Sequence, residues 1–306
     1  MYSKLEGGCR VGYWERSRAV SKFNYLRADS LQQAAQISGE NPGCYFIAGG
    51  TDLMVKLKEK LIDPAVIVDI SRLEELRGIK WNNGRLTIGA AVTHTEIYES
   101  AVIQQYVPAL AKAAGLVGSP QIRNQGTVGG NIGNASPAAD TVPVLLAYGA
   151  QVRVATGSGF KEIELDHLFT GPGRTVLQPG EIITEIILPV RQSGQGGGFQ
   201  KLGKRKALSI AVVNAAAWLQ VDDSSGKVAG VRLALGSVAA TVMRATAAED
   251  ILLGQVITES LIQQVAEQVS KAVRPIDDVR SEAVYRQQTA GVLMKRALEE
   301  AWAEIS

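Results

Sequence analysis

YFIAGGTDLMVKLKEKL, residues 45–61, reads as strand, glycine turn and helix in direct succession. Tyr45 to Ala48 has the composition of a buried strand. Gly49-Gly50 permits positive φ and lets a ligand approach a backbone with no Cβ in the way. A helix is expected to follow, with Thr51 or Asp52 as its cap and Leu53, Leu57 and Leu61 as a four-residue apolar stripe. Unpaired N–H groups at such a start attract anions, which suits a phosphate. TVGGNIGNASPAAD, residues 127–140, repeats the ingredients in another order. Gly129-Gly130 reads as a second turn after Val128, Asn131 and Ser136 offer side-chain hydrogen bonds, and Pro137, Asp140 and Pro143 lead into the apolar run Val142 to Ala147, which Gly149 is placed to end. One glycine doublet is an ordinary turn. Two, each with polar residues and a helix-like run, suit a pyrophosphate held from two sides.

Composition excludes several classes. The 306 residues are 46% hydrophobic and 20% charged, with a net charge of +2, enough chain for two or three domains. Lysines and arginines are interleaved with acids, so no basic stripe for nucleic acid exists. The one dense basic run, Lys201, Lys204, Arg205 and Lys206, reads as a solvated or ligand-facing cluster. No apolar run approaches the roughly 20 residues that span a bilayer, and the N terminus has no apolar leader, so a cytoplasmic protein without a membrane span is expected. Cys9 and Cys44 form no CxxC, and His94 and His167 are too isolated for zinc, so no metal site is expected; His94 reads as a loop or helix-start residue. Gly194 to Phe199 fails the GxGxxG pattern, and Gly198 to Arg205 satisfies GxxxxGK but places Arg205 where a magnesium-binding hydroxyl is required. No nucleophile with a base stands out, so no catalytic side chain is assigned.

Along the chain, a helix over 31–37, the strand into Gly49, the helix to Leu61 and a strand over 65–70 form a small α/β unit. A larger unit follows, with strands over 85–90, 151–155 and 181–188 and helices over 95–100 and 108–116. Arg191 to Gly198, polar and glycine-rich, reads as a linker. Beyond it, 210–220 and 227–236 form a hairpin around Asp222-Asp-Ser-Ser-Gly226, and helices over 249–253, 258–272 and 281–305 finish the chain, the last through Val284, Leu293, Ala297 and Ala301.

With IRNQGTVGGNIGNASPAAD (122–140), GEIITEIILP (180–189), FQKLGKRKALSIAVVNAA (199–216) and RPIDDVRSEAVYR (274–286), the chain resembles the FAD-binding medium subunit of the molybdenum hydroxylases, the family of xanthine dehydrogenase and aerobic carbon monoxide dehydrogenase. The resemblance runs from about Phe23 to near the C terminus. It implies an α+β fold: a two-part FAD-binding domain of the vanillyl-alcohol oxidase (PCMH) type over 23–190, with subdomains about 23–75 and 76–190, then a C-terminal sheet-plus-helices domain of the CO dehydrogenase flavoprotein type over 199–306. Residues 1–22 are an extension of open role.

The same resemblance implies the site. Ala48, Gly49, Gly50, Thr51, Asp52 and Leu53 wrap the FAD pyrophosphate, and Thr127, Gly129, Gly130 and Asn131 approach from the second loop. A carboxylate is repelled by diphosphate, so Asp140 accepts from a ribose or ribityl hydroxyl or from loop N–H groups, or else caps a helix. Ile183 and Lys201 match positions beside the isoalloxazine ring; otherwise they are a core strand residue and a surface lysine. With two cysteines the chain holds flavin alone. It ends without iron–sulfur or molybdenum domains, so a small [2Fe-2S] subunit and a large molybdenum-cofactor subunit are expected as partners, in a dimer of heterotrimers that passes electrons through FAD to NAD or another acceptor. The alternative is a non-redox binding or assembly module that keeps the fold. Substrate identity belongs to the molybdenum chain.

Overall fold

The computed structural model describes residues 22–82, 84–189, 193–205 and 208–305, and the N-terminal extension with Cys9 lies outside them. The chain begins with β1 (Asn24–Arg27), α1 (Leu31–Glu40), β2 (Tyr45–Ile47), α2 (Leu53–Lys58) and β3 (Val66–Asp69). The three strands form a parallel sheet in the order β1-β3-β2. A central parallel strand is covered on both faces, and all four residues of β3 are buried. Ser30 caps α1, its Oγ accepting from Gln33 N at 3.1 Å.

The second unit runs through β4 (Ile79–Asn82), β5 (Arg85–Gly89), six helices, α3 (His94–Glu99), α4 (Ala101–Tyr106), α5 (Pro108–Gly115), α6 (Pro120–Arg123), α7 (Val128–Gly133) and α8 (Thr141–Ala147), then β6 (Gln151–Thr156), β7 (Gly159–Glu164), β8 (Phe169–Gly171), β9 (Arg174–Thr175) and β10 (Ile182–Pro189). Five strands make an antiparallel sheet in the order β4-β5-β10-β6-β7, with β10 at its centre. That position explains why IITEIILP is mostly apolar, with Ile182, Ile183, Ile186, Ile187 and Leu188 all buried. Thr93 and Glu96 close a capping box on α3, and α8 is buried along its whole length.

The third unit is β11 (Gln195–Gly203), β12 (Ala211–Val221), β13 (Val228–Gly236) and β14 (Met243–Arg244), antiparallel in that order, followed by α9 (Thr246–Leu252), α10 (Glu259–Ala272) and α11 (Ala283–Ala303). Its two faces serve different cores. Phe199, Ala216 and Ala234 join Leu145 and Ile186 of the second unit in one apolar cluster. Ala215, Ala217, Leu219, Leu233 and Leu235 pack with Val265, Val269, Met294 and Ala297 in the other. Alternation of side chains along a strand produces this division.

The linker expected over Arg191 to Gly198 is corrected here. Residues 190–192 lie outside the described residues, and Gln195 to Gly198 are the buried start of β11, paired with Gln220 to Ala217 of β12. A Cβ on Gly196 or Gly198 would fall 2.0 Å from Ala301 O or 2.1 Å from Ala297 O, and one on Gly197 would fall 1.8 Å from the Tyr148 hydroxyl oxygen. Glycine is needed because α11 on one side and the end of α8 on the other rest directly on the strand backbone. Two smaller expectations also change: α2 ends at Lys58 and Leu61 is 68% exposed, and Val284 lies on the outer face of α11, away from buried Leu293, Ala297 and Ala301. Gly196→Ala is expected to destabilise by about 1–3 kcal/mol or more through overpacking, whereas Gly39→Ala, in α1 with open space around it, should add about 0.5–1 kcal/mol; thermal unfolding of the purified variants measures both.

Candidate functional site

The first glycine loop leaves the parallel sheet after Ile47, whose carbonyl accepts from Ile70 N at 2.9 Å. Ala48 and Gly49 lead into Gly50, which takes φ +69°, and Leu53 opens α2. The carbonyls of Gly50 and Asp52 accept from Met54 N and Lys56 N, each at 3.0 Å. Among the described residues, none accepts a hydrogen bond from the N–H groups of Gly50, Thr51 or Asp52. Asp52 stands at the N-cap position with helical backbone angles and makes no side-chain cap bond, which corrects the expectation of an Asp52 cap. The result is a half-buried turn whose outward donors are unengaged.

The second glycine doublet is not a turn. Gly129 and Gly130 form the first turn of α7, and Thr127 caps it, its Oγ1 accepting from Gly130 N at 3.1 Å. Val128 N, Gly129 N and Asn131 N donate to Val92 O, Ala90 O and Thr127 O, so the donors from 128 to 131 are all engaged inside the protein. Gly129 must be glycine because a Cβ would lie 2.6 Å from Ala90 Cβ. Asn131 Oδ1 accepts from Thr141 Oγ1 at 2.8 Å and ties α7 to α8.

The two loops meet backbone to backbone. A Cβ on Gly49 would sit 1.9 Å from Gln125 O, and one on Gly126 would have His94 Cδ2 at 3.3 Å and Thr51 Oγ1 at 3.4 Å. Lys56 Nζ donates to Asn134 Oδ1 at 2.6 Å, fastening α2 to the end of α7. His94, the first residue of α3, supports the junction: its N–H donates to Gly126 O at 3.0 Å, and its ring is 2% exposed with Nδ1 unpartnered. Burial, aided by the nearby Arg123 charge, lowers its pKa to about 4, so the imidazole is neutral.

A second constellation lies at the start of α8. Asp140 occupies its N-cap position but makes no cap bond, which removes the helix-capping reading. Its Oδ2 instead accepts from Lys201 Nζ at 2.5 Å, and the two side chains are 8% and 6% exposed. Lys201 therefore is no surface lysine; Nζ also donates to Leu116 O at 2.8 Å. Asn214 Nδ2 donates to Asp140 Oδ1 and Ala139 O, both at 3.1 Å. Burial pushes the Asp140 carboxyl above its ordinary range, opposed by the Lys201 charge and by hydrogen bonds from Lys201 and Asn214. Ile183 is buried in β10, against which α7 packs.

The structure thus brings Gly49, Thr51 and the Gln125–Gly126 edge together, and pairs Asp140 with Lys201. Lys204 and Arg205 do not cluster with Lys201: they hold the carbonyls of Val279 and Leu208, and Lys206 lies outside the described residues. Three contributors went unassigned in the sequence: the Gln125 carbonyl, His94 as a buried support, and Asn214. Only Asn214 left a signal, one amide inside the apolar run AVVNAAAWLQV.

His94 gives the stability a pH signature. Its folded pKa, about 4, lies below the unfolded value of about 6.5, so the unfolded chain binds more protons between these pH values. Stability should rise with pH across that window by on the order of 3 kcal/mol and level off above it. Asp140, with a raised pKa, tilts the curve the other way above the ordinary carboxylate range. Chemical denaturation at pH 4.5 and 7 of wild type and His94→Gln isolates the histidine: the variant should lose most of this rise.

Comparison with known proteins agrees with this architecture. Residues 21–191 match the FAD binding domain in molybdopterin dehydrogenase, and residues 199–301 match the CO dehydrogenase flavoprotein C-terminal domain. The chain is 32% identical over 283 residues to the carbon monoxide dehydrogenase medium chain of Hydrogenophaga pseudoflava, covering 92% of this chain and 98% of that one. It is 32% identical over 280 residues to the xanthine dehydrogenase FAD-binding subunit of Escherichia coli O157:H7, covering 91% and 95%. The solved carbon monoxide dehydrogenase from Hydrogenophaga pseudoflava superposes with a TM-score of 0.90 at 32% identity, covering 93% of this chain and 99% of that one. Quinoline 2-oxidoreductase from Pseudomonas putida 86 superposes with a TM-score of 0.87 at 29% identity, covering 94% and 99%. The chain belongs to the FAD-binding medium subunits of the molybdenum hydroxylase family, of the carbon monoxide dehydrogenase and xanthine dehydrogenase type.

Proposed function

We propose that this subunit holds FAD at its joined glycine loops, receives electrons from an iron–sulfur cluster on a small partner chain and delivers them to NAD or another acceptor, while a large molybdenum-cofactor chain transforms the substrate. The assembly is a dimer of such heterotrimers and works in the cytoplasm; among the described residues no helix is long and apolar enough to cross a membrane. One observation carries the reading: the backbone contact of Gly49 with Gln125 holds a turn whose Gly50, Thr51 and Asp52 donors have no acceptor among the described residues.

The residues divide the work. Ala48 to Leu53 supply backbone donors and the Thr51 hydroxyl to the pyrophosphate. Gly130 and Asn131 are reached from the surface of α7, while Thr127 and Gly129 hold that helix against the sheet and let the loops close. Asp140 and Lys201 border the flavin as a pair, and Ile183 offers an aliphatic surface from β10. Bound flavin accepts one or two electrons, which suits it to join a single-electron cluster to a two-electron acceptor. An ammonium kept in place beside it favours negative charge there.

The visible spectrum of the purified chain, with chromatography of what mild denaturation releases, tests the proposal: stoichiometric FAD is expected, and a colourless chain that cannot be reconstituted with FAD would leave the non-redox assembly module. Gly50→Asp should abolish flavin retention, since it forces a side chain into φ +69° and places a negative charge beside the turn. A Gly50→Asp protein with full flavin content would exclude the first loop as the pyrophosphate site.

A further inference from the structure

We propose that Asn214 is a positioning residue for the flavin site: its amide holds Asp140 as an ionised acceptor and so determines where the Lys201 ammonium stands. The inference rests on the reading that Asp140 and Lys201 border the flavin.

Strand geometry sets up the arrangement. Gly197, Phe199 and Lys201 of β11 point toward the second unit, while Gly196, Gly198 and Gln200 face α11, where Gln200 Nε2 donates to Glu300 Oε2 at 2.6 Å. On β12, Asn214 lies directly across from Lys201, and Gly236 of β13 lies across from Asn214. Lysine, asparagine and glycine therefore stand in one row across three strands, opposite the start of α8. The neighbours of Asn214 along β12 are Val212, Val213, Ala215 and Ala216, all buried, and Asn214 itself is 0% exposed. Packing alone calls for an apolar residue at this position.

The hydrogen bonds say what the amide does instead. Both N–H groups point at acceptors, Asp140 Oδ1 and Ala139 O. Reversing the amide would set its oxygen against those same two acceptors, so its orientation is determined. Its Oδ1 is left buried without a partner, against Gly236, where a Cβ would come within 2.2 Å of it. A group is rarely left unsatisfied in a core without a reason. Here the unpaired oxygen accompanies a donor that favours the charged form of Asp140, against the burial that pushes its carboxyl above the ordinary range. With Asp140 ionised, Lys201 is bound on one side by its carboxylate and on another by Leu116 O. The third ammonium N–H has no acceptor among the described residues.

The test is a double-mutant cycle on the FAD-loaded chain, with Asn214→Leu, Asp140→Asn and the pair, read as the flavin midpoint potential and visible spectrum beside the thermal midpoint. Asn214→Leu should let Asp140 take a proton, leave the Lys201 charge uncompensated and shift the potential upward. In the Asp140→Asn background the same substitution should give no further shift, whereas a purely structural role would lower the thermal midpoint in both backgrounds and leave the potential alone. If Asn214→Leu does not fold, Asn214→Ala carries the same cycle. An unchanged potential in a flavin-bearing Asn214 variant, or equal shifts in both backgrounds, overturns the assignment. Failure of the wild-type chain to take up FAD overturns the functional reading itself, and this inference with it.

Discussion

The buried ion pair between Asp140 and Lys201 joins the start of a helix in the second unit to a strand of the third. Asp140 begins α8, and Lys201 projects from β11 of the last sheet. Removing one partner of such a pair leaves an uncompensated charge in a water-poor site, at roughly 3–5 kcal/mol. That places a strong constraint on how the last sheet docks. The apolar surroundings reinforce it, because Phe199, Ala216 and Ala234 share a core with Leu145 and Ile186. Gly149, at the other end of α8, lies so close to Arg232 of β13 that a Cβ would fall 2.0 Å from Nη1. The site is thus assembled by the docking of α8 on the sheet, not by either unit alone.

Glycine does two separate jobs in this architecture. At Gly50 the requirement is conformational, a positive φ that turns the chain toward α2. At Gly49, Gly129, Gly196 and Gly198 the requirement is approach, because another atom already occupies the space of a Cβ. The first glycine loop depends on both kinds in succession. Gly50 turns the donors outward, and Gly49 lets the Gln125 carbonyl close against the loop.

This distinction also explains what could be read in advance. The central strand β10, the β12–β13 hairpin and helices α10 and α11 carry strong periodicity or long apolar runs, and all stand close to their expected places. The glycine strand did not, because GQGGG has the local signature of a flexible connection, whereas contacts with Ala297, Ala301 and Tyr148 make it a strand. The second doublet likewise has the local signature of a turn, whereas Gly129 packs on Ala90 within the first turn of a helix. Short elements such as β1, β4 and α6 have too few residues to show a period. Within the site, Asp140 and Lys201 were legible as individuals through family resemblance. Their bond was not, since nothing in a linear sequence pairs an aspartate before a helix with a lysine on a strand 61 residues away, and the amide that binds Asp140 lay inside an apolar run.

Strand register protects this geometry. A slip of one residue in β11 would turn Lys201 toward α11 and away from Asp140. The pairing of β11 with β12 stays regular through Lys201 and Leu202, and its irregularity falls between Leu202 and Gly203, just past the residue that matters. In β10 the corresponding shift falls between Ile183 and Glu185, immediately after the buried Ile183. There Thr184, absorbed by the bulge, donates its hydroxyl to Arg153 O at 3.1 Å and accepts from Ala90 N at 2.9 Å through its own carbonyl. Ala90 O in turn receives Gly129 N. The bulge in β10 is therefore bonded through one residue, Ala90, to Gly129 in the first turn of α7, so the pairing of β10 and the seating of the second loop share one hydrogen-bonded path.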